Sequence, residues 1–173
     1  MKKITFLLMV GVILLSSCGR EKKFDQNLQS AYSKMEKVLV HSSIMCEQTS
    51  STWRKAIYDN RTPSGKYCSD FNDALGELFG VYKSAGLLDS ISVYKKELEE
   101  ATSLLNNHPS SRKDCYDDFV EIVGEVSTMA RMATDPTGSL SSYNNTINTT
   151  AENISKKIDQ FKIKYSESLK KDE

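Results

Sequence analysis

The chain has 173 residues, with 23 basic and 23 acidic side chains and a formal net charge of zero. Balanced charge without a basic run leaves no electrostatic footprint for nucleic acid and no pull on an acidic substrate. Three prolines, eight glycines and few alternations of Val or Ile with polar residues exclude a β-rich chain and indicate an all-α single domain.

The first element is a leader. Met1-Lys2-Lys3 is a short positive start, and Ile4 to Leu15 is apolar except at Thr5 and Gly11. A membrane span needs about 20 apolar residues, so this shorter run reads as a signal-peptide core. Its edge, Leu15-Ser16-Ser17-Cys18, has an aliphatic residue, two small ones and a cysteine, and resembles the lipobox of bacterial lipoproteins. Small side chains admit the peptidase, and the thiol after the cut bond carries the lipid. The resemblance implies removal of residues 1–17 by cleavage between Ser17 and Cys18. It also implies a diacylglycerol on the Cys18 sulfur and usually a third acyl chain on its new amino group. More than one chain is the condition for stable anchoring. Gly19 stands where an aspartate resembles an inner-membrane retention signal, which implies the outer membrane in a host with two. Loss of Lys2 and Lys3 leaves 21 basic and 23 acidic residues, a net charge of −2.

Residues 18–23 read as the lipidated cysteine and a short charged tether, "GREKK", without apolar periodicity. From Phe24 the stripe Leu28, Ala31, Met35, Val38, Ser42, Met45, Thr49, Trp53 and Ile57 follows one face of a helix of about 35 residues. "DNRTPSGKY" at 59–67 ends it. Phe71, Leu75, Leu78 and Tyr82 mark a second helix, closed by "SAG" at 84–86. Leu87, Ile91, Tyr94, Leu98, Ala101 and Leu105 form a stripe out of phase with it, so the chain breaks or kinks at Gly86. "NNHPSS" at 106–111 is a turn, and Phe119, Ile122, Val123, Val126, Met129 and Ala133 form a fourth segment. "TDPTGS" at 134–139 turns again, with Ser139 or a neighbour as cap. The last helix carries Leu140, Tyr143, Ile147, Thr150, Ile154, Ile158, Phe161, Tyr165 and Ser168 or Leu169 and is expected to run nearly to the end. Asn and Thr at 144–150 weaken it locally by competing for backbone hydrogen bonds. The expected fold is an up-and-down helical bundle of about four long arms over 24–169, the second arm broken near Gly86, with a charged tail at 170–173.

Cys46, Cys68 and Cys115 allow one internal disulfide in an exported chain, and all three pairings are open. A metal site is not expected, because His41 and His108 are isolated and no Cys-x-x-Cys spacing occurs. No cofactor is expected either. Trp53, Phe79, Phe119 and Phe161 read first as core residues; the alternative is a pocket for a small apolar ligand between the helices. Lys156, Lys157, Lys162, Lys164, Lys170 and Lys171 alternate with acids and read as a solvated face rather than a lipid-binding one. Glu121 and Glu125 lie one turn apart, yet no nucleophile, base or glycine loop accompanies them, so no enzyme is expected. Asp89-Ser90-Ile91 resembles a three-residue bacterial O-glycosylation acceptor, and Asp89 is equally a candidate helix cap.

A second resemblance is carried by "WRKAIYD" (53–59), "FNDALGELF" (71–79) and "DPTGSLSSY" (135–143), which look like segments of small helical bacterial proteins without known activity. It implies structural roles for Trp53, Pro136, Gly138 and Leu140. The reading of the whole is a membrane-anchored envelope lipoprotein whose non-catalytic bundle binds or scaffolds another envelope protein, with carriage of a small apolar ligand as the alternative. The membrane is met through the N-terminal lipid, and no nucleic acid partner is expected.

Overall fold

The computed structural model describes the backbone of residues 2–170 and the side chains of residues 19–170. The side chains at the expected cleavage and lipidation site, Ser17 and Cys18, and residues 171–173 of the tail lie outside that description. The fold is an all-α helical bundle. Its helices are α1 (Lys2–Asp59), α2 (Phe71–Ser84), α3 (Leu87–Ser103), α4 (Lys113–Thr134) and α5 (Leu140–Lys164), with one 3-10 turn at Ser110–Arg112. Among the described residues there is no strand, only an isolated bridge between Arg61 and Tyr67 in the loop after α1.

Cross-helix contacts give the directions. Asp25 meets Arg112 and Cys46 meets Met129, so α1 and α4 run the same way. Tyr82 reaches Met45 and Lys34 reaches Glu97, so α2 and α3 descend beside α1. Ser50 bonds Asn144 while Tyr32 stacks on Phe161, so α5 also descends. The closest packing is between α1 and α4; α3 lies against α1 on one flank and α5 against α4 on the other, while α1 and α5 touch only sparsely. That sparse seam positions the site described below.

Local chemistry accounts for the boundaries. Asp70 caps α2 by accepting from the Asn72 amide at 2.9 Å. Gly86 begins α3 at φ 69°, a left-handed conformation that glycine adopts without steric penalty, and so separates α2 from α3. Ser139 and Ser142 form a reciprocal capping box at the start of α5. Gly138 precedes it at φ 90°, where a Cβ would lie 2.7 Å from the Ser142 hydroxyl. The core is one cluster running from Phe24 to Phe161, filled by the expected stripes, Leu28, Met35, Val38, Leu98, Phe119, Ile122 and Ile154 among them.

Two expectations need correction. The tether is helical in its described part, residues 19–23, because α1 is continuous through it. Glu21 and the neighbouring Asp25 have partners that reward the helix: Ser111 donates to Glu21 at 2.6 Å, and Arg112 pairs with Asp25 at 2.8 Å and Glu21 at 4.0 Å. The last helix stops at Lys164, earlier than its stripe suggested. Turns then fold back onto α1, where the Gln29 amide donates to the Ser168 and Lys170 carbonyls at 3.2 and 2.6 Å. The weak helix formers Asn and Thr at 144–150 lie within a continuous α5, where Tyr143, Thr150 and Ile154 are buried against the bundle.

Candidate functional site

The largest concavity described is a groove of about 800 Å³ along the α1/α5 seam. One wall is α1 from Ser43 to Asp59, the other is Asn144, Ile147, Asn148 and Ala151 of α5, and Met129 of α4 and Cys46 form the floor. It exists because α5 is drawn to α4. Lys157 bridges Glu121 and Glu125 at 3.5 and 3.2 Å, and Lys164 pairs with Asp118 at 2.9 Å. Across the seam, the Ser50 hydroxyl donates to Asn144 Oδ1 at 2.6 Å, and Tyr143 packs against Trp53 of α1. The walls are almost free of charge in the middle: residues 41–53 carry only Glu47, and residues 139–155 only Glu152, in a chain that is 27% charged. Charge returns at the upper end with Arg54, Lys55 and Asp59, and Tyr58 stands there 73% exposed.

Beneath the groove lies a polar knot inside the core. Tyr82 donates to the Met45 carbonyl and Tyr143 to the Met132 carbonyl, both at 3.2 Å, while the Cys46 thiol points at the Met129 carbonyl at 3.7 Å. Burial raises the pKa of the Cys46 thiol and of both phenols above their ordinary values. These groups are therefore neutral and inert at neutral pH, and they tie α1, α2, α4 and α5 together below the floor.

The sequence-derived candidates do not meet in one place. Cys46, Cys68 and Cys115 are three buried free thiols, so the one internal disulfide they allow is not formed in any of its three pairings. Each is taken up by a different environment: Cys46 under the groove, Cys68 against Ala56 and Ala74 beside the α1–α2 loop, and Cys115 in the main core at the start of α4. Burial pushes the Cys115 thiol up to about 12. Trp53 stacks on Phe71 at 5.2 Å and lies 5.7 Å from Tyr143, at the upper end. Phe119 meets Phe161 at 5.8 Å toward the lower end, and Phe79 packs edge-on against Tyr82 at 5.3 Å. The four aromatics thus fill the core at separate levels and do not line a shared pocket.

Glu121 and Glu125, which share a face as expected, are both engaged by Lys157. The Ser90 hydroxyl of the acceptor-like triplet donates to the Gly86 carbonyl at 2.8 Å and Ile91 is buried, while the N-cap of α3 is Gly86 and not Asp89. Among the described residues no three His, Cys, Asp or Glu side chains come together to hold a metal ion. No helix there is long and apolar enough to cross a membrane.

Sequence reasoning missed the groove itself. Asn144 and Asn148 appeared in the sequence only as helix-weakening residues, and Ser43 and Ser50 carried no reading, although two uncharged Ser/Thr/Asn-rich stretches in a highly charged chain were visible. Their juxtaposition depends on the antiparallel register of α1 and α5, which sequence does not give. The chain matches no protein-family model, no curated protein and no solved structure.

Proposed function

We propose that the chain is a lipid-anchored protein of the bacterial cell envelope whose helical bundle binds another protein without catalysis. The observation that carries this reading is the lipobox Leu15-Ser16-Ser17-Cys18 placed directly ahead of a bundle. Two features of the described residues support it. First, α1 is helical from Gly19 onward and is clamped to Ser111 and Arg112, so the bundle begins immediately after the anchor and stands close to the bilayer. Second, the groove holds one thiol, Cys46, which burial keeps protonated, and is otherwise lined mainly by hydroxyls, amides and a rim of balanced charge, which suits recognition rather than bond making.

The test is direct. Cys18→Ala should abolish incorporation of labelled fatty acid and shift the protein from the carbonate-resistant membrane fraction to the supernatant. A variant that stays in the membrane pellet after the wash would overturn the anchor. Crosslinking in intact cells should recover a protein adduct of the wild type.

A further inference from the structure

We propose that the charged pocket at the lower end of the bundle binds the phosphoethanolamine headgroup of a neighbouring bilayer lipid. This rests on the lipid-anchored reading above, and it names a second, non-covalent contact with the membrane.

The pocket lies where α1, the turn ahead of α4 and the C-terminal turns converge, and measures about 230 Å³. Its charged lining consists of three carboxylates, Glu21, Asp25 and Glu167, and three cations, Lys22, Arg112 and Lys170. An anion would meet the carboxylates and a cation would meet the bases, so only a ligand carrying both charges is complemented throughout.

The pairing inside the pocket is incomplete in the same sense. Arg112 meets Asp25 end-on, from one terminal nitrogen to Oδ2 at 2.8 Å. A bidentate pair would engage two guanidinium nitrogens and both carboxylate oxygens. Here Arg112 Nε and Asp25 Oδ1 are both buried and have no hydrogen-bond partner among the described residues. A buried donor or acceptor left without a partner costs free energy, and a ligand that satisfies both recovers it. The Nε–H calls for an anionic oxygen, and the carboxylate oxygen calls for a donor hydrogen. A phosphate joined to a primary ammonium supplies the two from one group. Phosphocholine has the phosphate but no N–H, and phosphoglycerol has no cation, so this pair of atoms selects among headgroups.

Height agrees with a lipid source. Glu21 and Asp25 lie three and seven residues beyond Cys18 on one continuous helix, a rise of about 4.5 and 10.5 Å. A diacylglycerol on the Cys18 sulfur would hold that residue level with the glycerol groups of the bilayer. Hydrocarbon of about 30 Å within a bilayer of about 40–45 Å leaves a headgroup layer of about 5–8 Å on each side. Glu21 therefore stands within that layer and Asp25 just above it.

The experiment places the full lipidated chain in phosphatidylcholine nanodiscs doped with phosphatidylethanolamine or phosphatidylglycerol, and native mass spectrometry counts the lipid that leaves with the protein. Phosphatidylethanolamine should be retained one to one and at least about tenfold over either other lipid, the value of a hydrogen bond to a charged group. Asp25→Asn should bring the ethanolamine-to-choline ratio close to one, a ratio that a merely structural role for Asp25 would leave unchanged. Gln26→Trp, at an exposed position of the lining, should fill the pocket and abolish retention while the helical circular dichroism stays the same. Soluble glycerophosphoethanolamine, added in mild detergent, is the second arm and should displace the retained lipid. Equal retention of the three lipids, or an unchanged preference in the Gln26→Trp protein, would overturn the proposal. Binding of the soluble compound without any preference in nanodiscs would overturn the membrane source. Fatty-acid labelling of the same sample separates the pocket from the parent reading: a labelled chain without headgroup preference refutes the pocket alone, and an unlabelled chain refutes the anchor and with it the membrane source.

Discussion

Cys115 gives the sharpest quantitative test of the packing. Its side chain is 1% exposed and burial raises its pKa from 9.0 to about 12, with Arg112 opposing and Asp25 adding to the shift. In the unfolded chain the thiol loses its proton near 9.0, whereas the folded chain holds it to about 12. Between those values the folded state binds more protons than the unfolded one, so stability is complete well below pH 9 and declines as pH rises. Because half of the unfolded thiols are already ionised at pH 9, Cys115 alone should remove about 0.4 kcal/mol by pH 9 and about 1 kcal/mol more between pH 9 and 10. Cys46, Tyr82 and Tyr143 act in the same direction through their own burial, so the wild-type slope is a sum. The Cys115→Ala variant isolates one contribution. Urea unfolding under reducing conditions, followed by the fluorescence of the single tryptophan, buried Trp53, reports both proteins at pH 7.5, 9 and 10. The variant should start slightly less stable and lose about 1.4 kcal/mol less than the wild type by pH 10. Parallel stability curves for the two proteins would refute the claim that this thiol is sealed in the core.

Three further substitutions probe the ends of the bundle. Ser139→Ala removes the capping box and should lower stability by about 1 kcal/mol in thermal or urea melts. Gly138→Ala should cost more, because it forces a side chain to φ 90° and sets its Cβ 2.7 Å from the Ser142 hydroxyl; equal stability to wild type would show that the turn relaxes freely. At the opposite end, Arg112→Ala leaves Asp25 half-buried without its cation, with an expected loss of about 1–2 kcal/mol after allowance for partial exposure. The double variant with Asp25→Ala should recover part of that loss, and a purely additive cycle would show that the clamp holds no energy.

The helical stripes were legible because burial follows them closely: Leu28, Met35, Val38, Leu98, Phe119, Ile154 and Phe161 were all placed inward by 3.6-residue spacing and are all buried. Turns were legible where glycine, proline or a cap residue dictates backbone conformation, as at Gly86 and at Gly138-Ser139. What failed was nonlocal. The charged run after Cys18 lacks an apolar face, and its helix is supported by Ser111 and Arg112, about 90 residues away in sequence. The thiols suggested a disulfide from compartment and count, yet pairing needs proximity, and Cys46, Cys68 and Cys115 sit in separate parts of the core. The groove was missed for the same reason, since neither of its walls is a site until the fold sets α5 antiparallel beside α1.

The polar stretch of α5 predicts a gain of stability on substitution. Ser, Thr and Asn in a helix interior are each about 0.5 kcal/mol less favourable than Ala, and α5 concentrates them at 144–150. Asn145 and Asn148 are both exposed, and alanine at either position should therefore stabilise the bundle by about 0.5 kcal/mol, measured as a shift in urea midpoint. Thr150 is buried in the same stretch, so alanine there removes packed volume as well as a poor helix former, and its effect should be smaller or of the opposite sign. Equal gains at all three positions would show that local propensity alone, without packing, sets the stability of α5.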